Sequence, residues 1–292
     1  MSSYAYTIEY FNVRNQDFDC ITAISFDGSF NQESTFLSNE PVYSERYDGT
    51  RIDYGTRYSE VAEIIINLVK KDYSDFTNAE KREILRWLTA RKQNSWLKLY
   101  DLDDEEICEY YGRFTNVEAQ IADSRVIGFT CIFTSTHPYS FSPLRDIQQT
   151  FTDKETIIVQ NDSDVVDDFV RPYIVIKPTS SISKLTITNI TTDRQSVIED
   201  IKESETVTID NENKLIFTDY AGDTTLRILG KDFKFYGYID YSNEQEKYMT
   251  DYPLWIELIP GNNKLQFDAN GEGGEIFYQI RYRYPIKIGG TF

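Results

Sequence analysis

One stretch of the sequence carries a complete helix-start signal, and it sets how the rest of the chain is interpreted. Thr77 is a good N-cap residue, and Glu80 follows three positions later, which is the spacing of a capping box. Apolar residues then recur at helical spacing: Ala79, Ile84, Leu85 and Leu88. Arg91 and Lys92 supply positive charge for the last turn, where it suits the helix dipole. The sequence therefore predicts a helix over residues 77–92.

Trp87 lies inside this predicted helix, and its position allows two interpretations. As a member of the apolar stripe it packs on the core of its own domain, which is the default for a helical Trp. On an exposed face it is available to a neighbouring subunit, because aromatic side chains are enriched at protein interfaces. The sequence leaves both interpretations open.

The remainder of the chain has the character of β-strands. Aromatic residues make up 15% of the full chain, with 22 Tyr and 18 Phe. Together with many Thr and Ile residues they favour strands. At 292 residues the chain is too long for one small core. We therefore predict a mainly-β fold in two domains. Residues 1–143 form a β-sandwich-like domain with one α-helix and a protruding hairpin arm, and residues 144–292 form an antiparallel β-sandwich.

The predicted arm covers residues 40–58, a segment rich in Ser, Asn, Glu, Arg and Tyr and poor in aliphatic residues. Asp48-Gly49 lies between alternating aromatic residues, which is a strong short-range signal for a hairpin turn. Such a hairpin has little apolar surface for a core of its own, so it is either a solvated loop or an arm that packs on another subunit. The residues that we assign to arm contacts are Tyr43, Arg46, Tyr47, Asp48, Gly49 and Arg51.

Residues 144–292 contain a succession of short apolar stretches separated by turn residues, without a helix signal, which indicates an antiparallel sandwich. Pro260-Gly261 begins a well-signalled turn. Apolar residues alternate in the two stretches that follow: Leu265 and Phe267, then Ile276, Tyr278 and Ile280. We predict that these two strands pair as the hairpin that closes the domain.

The charge of the chain argues against a nucleic-acid-binding surface. The formal net charge is −18, with 14 Lys+Arg and 23 Asp+Glu in residues 1–143 and 16 and 25 in residues 144–292, so each part carries −9. A binding surface for phosphates needs a concentrated basic patch, and neither part has an excess of basic residues. The acidity favours solubility, and it is also compatible with a negative lumen along which DNA slides.

No catalytic, cofactor or metal site is predicted. His137 is the only histidine, and no Gly-x-Ser-x-Gly elbow accompanies it. Cys20, Cys108 and Cys131 are widely spaced without a CxxC, and we expect buried, reduced thiols. The acidic turn 101–106 has carboxylates at spacings that suit Ca²⁺, but it lacks the Gly and distal Glu of a calcium loop, so a solvated hairpin tip is the alternative. We therefore predict that the protein is not an enzyme.

The sequence gives no sign of a membrane segment. Residues 1–10 are polar and aromatic, without the apolar stretch of a signal peptide. No apolar run approaches the ~18 residues that a membrane helix requires. We therefore expect no membrane insertion.

A series of short motifs follows the predicted helix. They are an aromatic-apolar strand (Trp96 to Tyr100), the acidic turn (Asp101 to Glu106), Tyr-Tyr-Gly-Arg-Phe-Thr-Asn-Val-Glu (Tyr110 to Glu118), and Gly-Phe-Thr-Cys-Ile-Phe (Gly128 to Phe133) running into His137-Pro138-Tyr139. This order resembles the end of the N-terminal domain of the distal tail proteins of phages with long, non-contractile tails. The strand pattern over 258–284 resembles the galectin-like sandwich of phage tail-tip proteins.

The resemblance implies a structural protein of the virion, made in the host cytoplasm and located at the phage tail tip. It implies a homo-hexameric ring, or baseplate hub, that joins the tail tube protein to tail-tip, tail-associated or receptor-binding proteins. DNA is expected to pass through the lumen without sequence-specific binding. In this family an extended hairpin from the N-terminal domain embraces the neighbouring protomer, which favours the arm interpretation of residues 40–58. No cofactor is implied.

A carbohydrate-binding module that contacts the host cell envelope is the alternative function. Residues 233–241 are dense in aromatic residues, and exposed aromatics beside carboxylates stack on sugar rings. The same residues are equally suited to fill a sandwich or to contact a protein. A galectin-like fold does not imply sugar binding, and the sequence contains no sugar-binding motif. A host-surface glycan is thus an alternative partner.

Overall fold

The computed structural model describes residues 6–23, 26, 39–47, 50–58, 61–166, 168–220, 223–226, 238–239, 248–249, 255–271 and 274–286. They fall into two compact units. The first ends at Pro143 and also takes in Pro285 and Ile286, and the second is Leu144–Tyr284. The sequence analysis assigns residues 285–286 to the second domain. They belong to the first because Ile286 and Pro285 pair with Ser140 and Phe141.

The helical elements are a short 3₁₀ helix, Asn15–Phe18, and one α-helix among the described residues, α1 (Asn78–Thr89). The strands up to the end of the first unit's main segment are β1 (Thr7–Tyr10), β2 (Val13–Arg14), β3 (Cys20–Ala23), β4 (Asn39–Glu45), β5 (Arg51–Tyr58), β6 (Glu63–Lys70), β7 (Ser95–Tyr100), β8 (Glu106–Ala122), β9 (Arg125–Ser135) and β10 (Ser140–Phe141).

The second unit continues with β11 (Arg145–Phe151), β12 (Lys154–Asn161), β13 (Tyr173–Pro178), β14 (Ile182–Asn189), β15 (Arg194–Ile201), β16 (Thr206–Asp210), β17 (Leu215–Tyr220), β18 (Asp223–Leu226), β19 (Tyr238–Ile239), β20 (Tyr248–Met249), β21 (Gly261–Gly271) and β22 (Ile276–Tyr282). The last strand, β23 (Pro285–Ile286), returns to the first unit. The protein is mainly β with antiparallel sheets, as predicted.

The first unit is organised around one antiparallel sheet in the order β2-β1-β7-β8-β9-β6-β3, to which β10 and β23 are added beside β8. Asn15, which is fully buried, joins β1 to the far edge strand β3. The backbone N–H of Ile8 donates to Asn15 Oδ1 at 2.9 Å, and Asn15 Nδ2 donates to the carbonyl of Cys20 at 2.8 Å. One side chain thus bridges β1 and β3, which do not pair with each other among the described residues.

The start of α1 confirms the predicted capping box. Thr77 Oγ1 accepts from the backbone N–H of Glu80 at 3.3 Å, and the Thr77 N–H donates to Glu80 Oε2 at 2.7 Å. The end of the predicted helix is wrong, because α1 stops at Thr89. Arg91 and Lys92 lie beyond the last turn, and the Arg91 guanidinium instead lies 4.2 Å from the centre of the Phe11 ring.

The buried side of α1 is narrower than the predicted stripe. Ile84, Trp87 and Leu88 are buried against the sheet, whereas Ala79 and Leu85 are exposed. The indole N–H of Trp87 donates to a backbone carbonyl of β1 at 2.9 Å, so this side chain belongs to the core of its own unit. The packing interpretation of Trp87 is confirmed.

The second unit is a sandwich of a six-stranded sheet, β11-β22-β13-β16-β17-β18, and a four-stranded sheet, β12-β21-β14-β15. The predicted alternation is confirmed, since Leu265, Phe267, Ile276, Tyr278 and Ile280 are all buried. The predicted closing hairpin is wrong. The strands β21 and β22 lie in different sheets, and the chain crosses between them so that the two rings of Phe267 and Tyr278 stack with their centres 4.4 Å apart.

Candidate interaction sites

The segment assigned to the arm forms a two-stranded sheet of its own. β4 and β5 pair in antiparallel fashion from Asn39 opposite Tyr58 to Glu45 opposite Arg51, and among the described residues they belong to no larger sheet. Towards the tip, the backbone N–H of Arg46 donates to the carbonyl of Thr50 at 2.8 Å. Each strand therefore pairs its inward-facing backbone groups with the other, and within the part of the chain that the structure describes neither strand pairs with the rest of the unit.

The side chains of this hairpin are largely in solvent. Of those that the structure describes, at positions 42–47, 50, 52 and 54, only Ile52 is half-buried and the others are exposed. Tyr47 is fully exposed, and Tyr54 is 63% exposed with its hydroxyl 3.0 Å from Ser44 Oγ. Exposed aromatic side chains, on a hairpin where no described side chain is buried, are the composition expected of a contact surface.

The structure describes four of the six residues that are assigned to arm contacts. Tyr43, Arg46 and Tyr47 are exposed on β4 and its extension, and Arg51 begins β5. Asp48 and Gly49 lie outside the described residues. The four described residues of this set therefore lie on one hairpin.

An apolar pocket of about 410 Å³ opens on the first unit between α1 and the turn that joins β1 to β2. Its lining residues are Phe11, Val13, Phe18, Glu83, Arg86, Trp87, Ala90 and Arg91. The Trp87 and Phe18 rings stack with their centres 5.0 Å apart, and Trp87 is buried. The sequence analysis missed this pocket because its rings come from three separate segments that no local pattern connects.

The acidic turn between β7 and β8 uses its carboxylates internally. Asp101 Oδ1 accepts from the backbone N–H groups of Asp103 and Glu105, each at 2.9 Å. The Asp104 carboxylate accepts two bonds from Arg14 at 2.9 and 3.0 Å, and this pairing raises the pKa of Arg14. The turn is therefore built as a hairpin tip held by its own hydrogen bonds. Within the part of the chain that the structure describes, no three His, Cys, Asp or Glu side chains are grouped so as to hold a metal ion.

The three cysteines are free and buried, as predicted. Burial raises the pKa of each thiol to about 12, so at neutral pH none is a thiolate. His137 lies in an aromatic cluster, with its ring centre 5.1 Å from that of Phe141 and its Nδ1 2.9 Å from Thr136 Oγ1. These groups have the surroundings of structural residues. Among the described residues, no helix has the length and apolar character needed to cross a membrane.

A second, larger groove of about 1030 Å³ lies at one end of the four-stranded sheet of the second unit. Charged and hydroxyl side chains line it together with three apolar ones: Asp153, Lys154, Ser181, Ser183, Asp200, Lys202 and Asp268, with Ile182, Ile201 and Ala269. Lys154 Nζ lies 3.1 Å from the Asp268 carboxylate. The aromatic segment 233–241 lies outside the described residues except for Tyr238 and Ile239.

Comparison with protein families gives two matches that follow one another along the chain. A family model described as a phage tail protein N-terminal domain matches residues 4–137, and one described as a phage tail C-terminal domain matches residues 139–235. No curated protein sequence matches the chain.

Solved structures resemble almost the whole chain at low sequence identity. The crystal structure of the SPP1 Dit protein, described as a paradigm of hub adsorption apparatus in Gram-positive infecting phages, aligns with a TM-score of 0.58 and 13% identity. The alignment covers 96% of this chain and 100% of that one, so the two share a fold. Chains of the phage P2 baseplate in its activated conformation align less closely: TM-score 0.47, 8% identity, 97% and 98% coverage with Ca, and 0.44, 9%, 95% and 97% with Sr.

Proposed function

Because this chain belongs to the phage tail proteins, we propose that it is a distal tail protein of the virion that assembles into a homo-hexameric ring. The ring surrounds the DNA channel and connects the tail tube protein to tail-tip and receptor-binding proteins. The likeness in fold to the SPP1 Dit protein along 96% of the chain supports this proposal.

The observation that carries the proposal is the hairpin β4–β5. An isolated two-stranded hairpin is marginally stable in water, and it gains stability when its side chains pack on another surface. Among its described side chains, Tyr43, Tyr47 and Tyr54 are exposed in their own chain. A neighbouring copy of the chain supplies the missing surface, and the hairpin then acts as the arm that links the two copies.

A ring imposes a specific demand on such a contact. Subunits that close head to tail use two different surfaces, one on each side of the interface. The hairpin is one surface, and its partner must be elsewhere on the chain. When this contact repeats from subunit to subunit, the assembly is a closed ring or an open filament, depending on the rotation between neighbouring subunits.

The charge of the chain fits a channel for DNA. Each subunit carries −18, so a hexamer carries −108 (6 × −18). Binding of DNA phosphates requires Lys and Arg in excess at the contact surface, and an acidic lumen avoids such binding. The proposed ring thus lets DNA pass without holding it.

Negative-stain images of the purified full-length protein test the proposal. We expect ring-shaped particles with six-fold symmetry and a central channel. A field of single-chain particles, at a concentration well above that used for imaging related assemblies, or rings of a different symmetry, would contradict the hexamer. Co-purification of the tail tube protein with the ring tests the proposed connection.

We infer a second candidate function, binding of a carbohydrate of the host envelope, from the groove of the second unit. Its carboxylates, ammonium groups and hydroxyls are the donors and acceptors that a hydroxyl-rich ligand needs. Isothermal titration with a host wall polysaccharide should give heat with the full chain and much less with Asp268→Asn, while Asp146→Asn, on a different sheet, should behave as the wild type. An absence of heat with the wild type removes this candidate.

A further inference from the structure

The pocket beside α1 has the construction of a socket for an aromatic side chain. Its base is the stacked pair of Trp87 and Phe18, and the Trp87 indole is fixed by its hydrogen bond to the Tyr10 carbonyl. Phe11 forms a wall, with the Arg91 guanidinium 4.2 Å above its ring. At about 410 Å³, the pocket is large enough for one tyrosine side chain.

The turn that supplies the wall adopts an unfavourable backbone conformation to do so. Phe11 and Asn12 form the two-residue loop between β1 and β2, with φ values of 54° and 60°. Asn tolerates the left-handed region, whereas a bulky residue such as Phe rarely occupies it, and Gly is the usual choice in such loops. Because Phe11 occupies this strained position although it is large, we infer that its aromatic ring has a function at this place.

The rim of the pocket is charged and mostly basic. Arg86 and Arg91 lie on it together with Glu83, and all three are exposed. A ligand for this site therefore combines an aromatic ring with a negative charge close by. The guanidinium groups also favour an aromatic partner, because they attract the face of a ring.

The tip of the hairpin β4–β5 carries this combination. Tyr43 and Glu45 are two residues apart in β4 and share one face of the strand, and Tyr47 follows at the tip. All three side chains are exposed. Tyr47 is fully exposed, so it does not occupy the pocket of its own chain. A tyrosine places an apolar ring in a pocket while its hydroxyl stays at the wet rim.

We propose that the pocket lined by Phe11, Phe18 and Trp87 receives Tyr47 from the hairpin of a neighbouring copy, and that Glu45 of that hairpin pairs with Arg86 or Arg91. The inference rests on the proposed function, because it requires that copies of this chain assemble. The hairpin and the pocket are different surfaces of one chain, so the contact repeats head to tail, as a ring demands.

Site-specific cross-linking between two variants tests the proposal directly. Thr50→Cys and Ala90→Cys place one thiol on the hairpin tip, where Tyr47 is retained, and one on the pocket wall, and the native cysteines are buried. The two variants are co-expressed, purified as the assembly and oxidised. We expect a disulfide-linked pair of chains on a non-reducing gel from the mixture, and none from either variant alone. Tyr73→Cys, at an exposed position outside the pocket, replaces Ala90→Cys in the control and should give no cross-link.

Assembly measurements with two further variants separate the possible failures. Tyr47→Ala should raise the protein concentration at half assembly roughly 30-fold, as expected for removal of an aromatic hot-spot residue. Ala90→Trp should do the same by filling the pocket. The pocket assignment is overturned if the wild type forms rings, the mixed cysteine variants give no cross-link, and Tyr47→Ala and Ala90→Trp assemble as the wild type does. That result leaves the proposed function intact. A monomeric wild type overturns both.

Discussion

Two hairpins of the first unit have the same local architecture and opposite surroundings. β8 and β9 form a long hairpin whose alternate residues Phe114, Phe129, Cys131 and Phe133 are buried in the core. β4 and β5 also pair along their length, but none of their described side chains is buried. The two differ in sequence as well, because the first alternates apolar residues on one face and the second alternates polar and tyrosine residues.

The comparison shows that backbone pairing and burial are specified separately. In both hairpins the two strands pair with each other through backbone hydrogen bonds, so pairing alone does not tell which of them belongs to a core. The apolar alternation of β9 places it in the core of its own chain. The arm carries a stronger turn signal, Asp48-Gly49, than the Asp123-Ser124 turn of β8–β9, yet none of its described side chains faces a core. Its aromatic residues are then available to another chain.

The largest loss of stability is expected from the core hairpin. Phe133→Ala removes a fully buried ring that contacts Tyr10 and Phe114, and it should lower the free energy of unfolding of the first unit by about 3–5 kcal/mol. Tyr54→Ala in the arm should change it by no more than about 0.5 kcal/mol. Chemical denaturation followed by fluorescence measures both. Equal losses of unfolding free energy for the two variants would show that the arm contributes as much to the stability of the unit as the core hairpin does.

The next largest loss of stability is expected from a substitution at Gly112, where the backbones of β8 and β9 approach closely. A Cβ atom at Gly112 would overlap the Thr134 carbonyl oxygen and would lie 2.8 Å from the Ser135 Cα. Because both are backbone atoms of β9, Gly112→Ala forces β8 and β9 apart and should cost about 1–3 kcal/mol. Ala119→Ser, which also adds one side-chain atom but at an exposed position of β8, is the matched control and should unfold as the wild type does. An unchanged unfolding midpoint for Gly112→Ala would show that the strands separate at no cost.

The capping box of α1 has an intermediate effect. Thr77→Ala leaves the Glu80 N–H without its side-chain acceptor and should destabilise the first unit by about 1 kcal/mol. Thr77→Ser retains the oxygen and should lose much less. Thermal unfolding of the three proteins measures the difference, and a Ser variant as unstable as the Ala variant would assign the effect to the lost methyl group.

Acid should weaken the same region through Glu80. The Lys70 ammonium at 2.7 Å and the Thr77 N–H hold the pKa of this carboxylate at about 2, below its ordinary value of 4.5. A pKa that is lower in the folded state gives stability that is complete above the ordinary value and is lost as the pH falls towards 2. The difference in unfolding temperature between the wild type and Glu80→Gln should therefore shrink over this range. A difference independent of pH would contradict the pairing.

The sequence was sufficient for features that local chemistry determines. The start of α1, the mainly-β fold and the alternation of buried residues in β21 and β22 all follow from short patterns, and the structure confirms them. The end of α1 depends on Arg91 leaving the helix to cover Phe11, which is distant in sequence. The pairing of β21 and β22 with other strands depends on a crossing between sheets, which an alternating pattern does not record. The pocket was not predictable because Phe11, Phe18 and Trp87 meet only in the folded chain.

The smallest expected effect on stability belongs to the double variant Tyr43→Ala/Tyr47→Ala, and its effect on assembly should be complete. Light scattering of the eluting peak is the most direct measurement of whether the hairpin carries assembly. We expect a mass near 205 kDa (6 × 34.1 kDa) for the wild type and 34.1 kDa for the variant, with the same circular dichroism spectrum. Equal masses for the two proteins, whether both hexameric or both monomeric, would contradict the assignment of this hairpin as the arm.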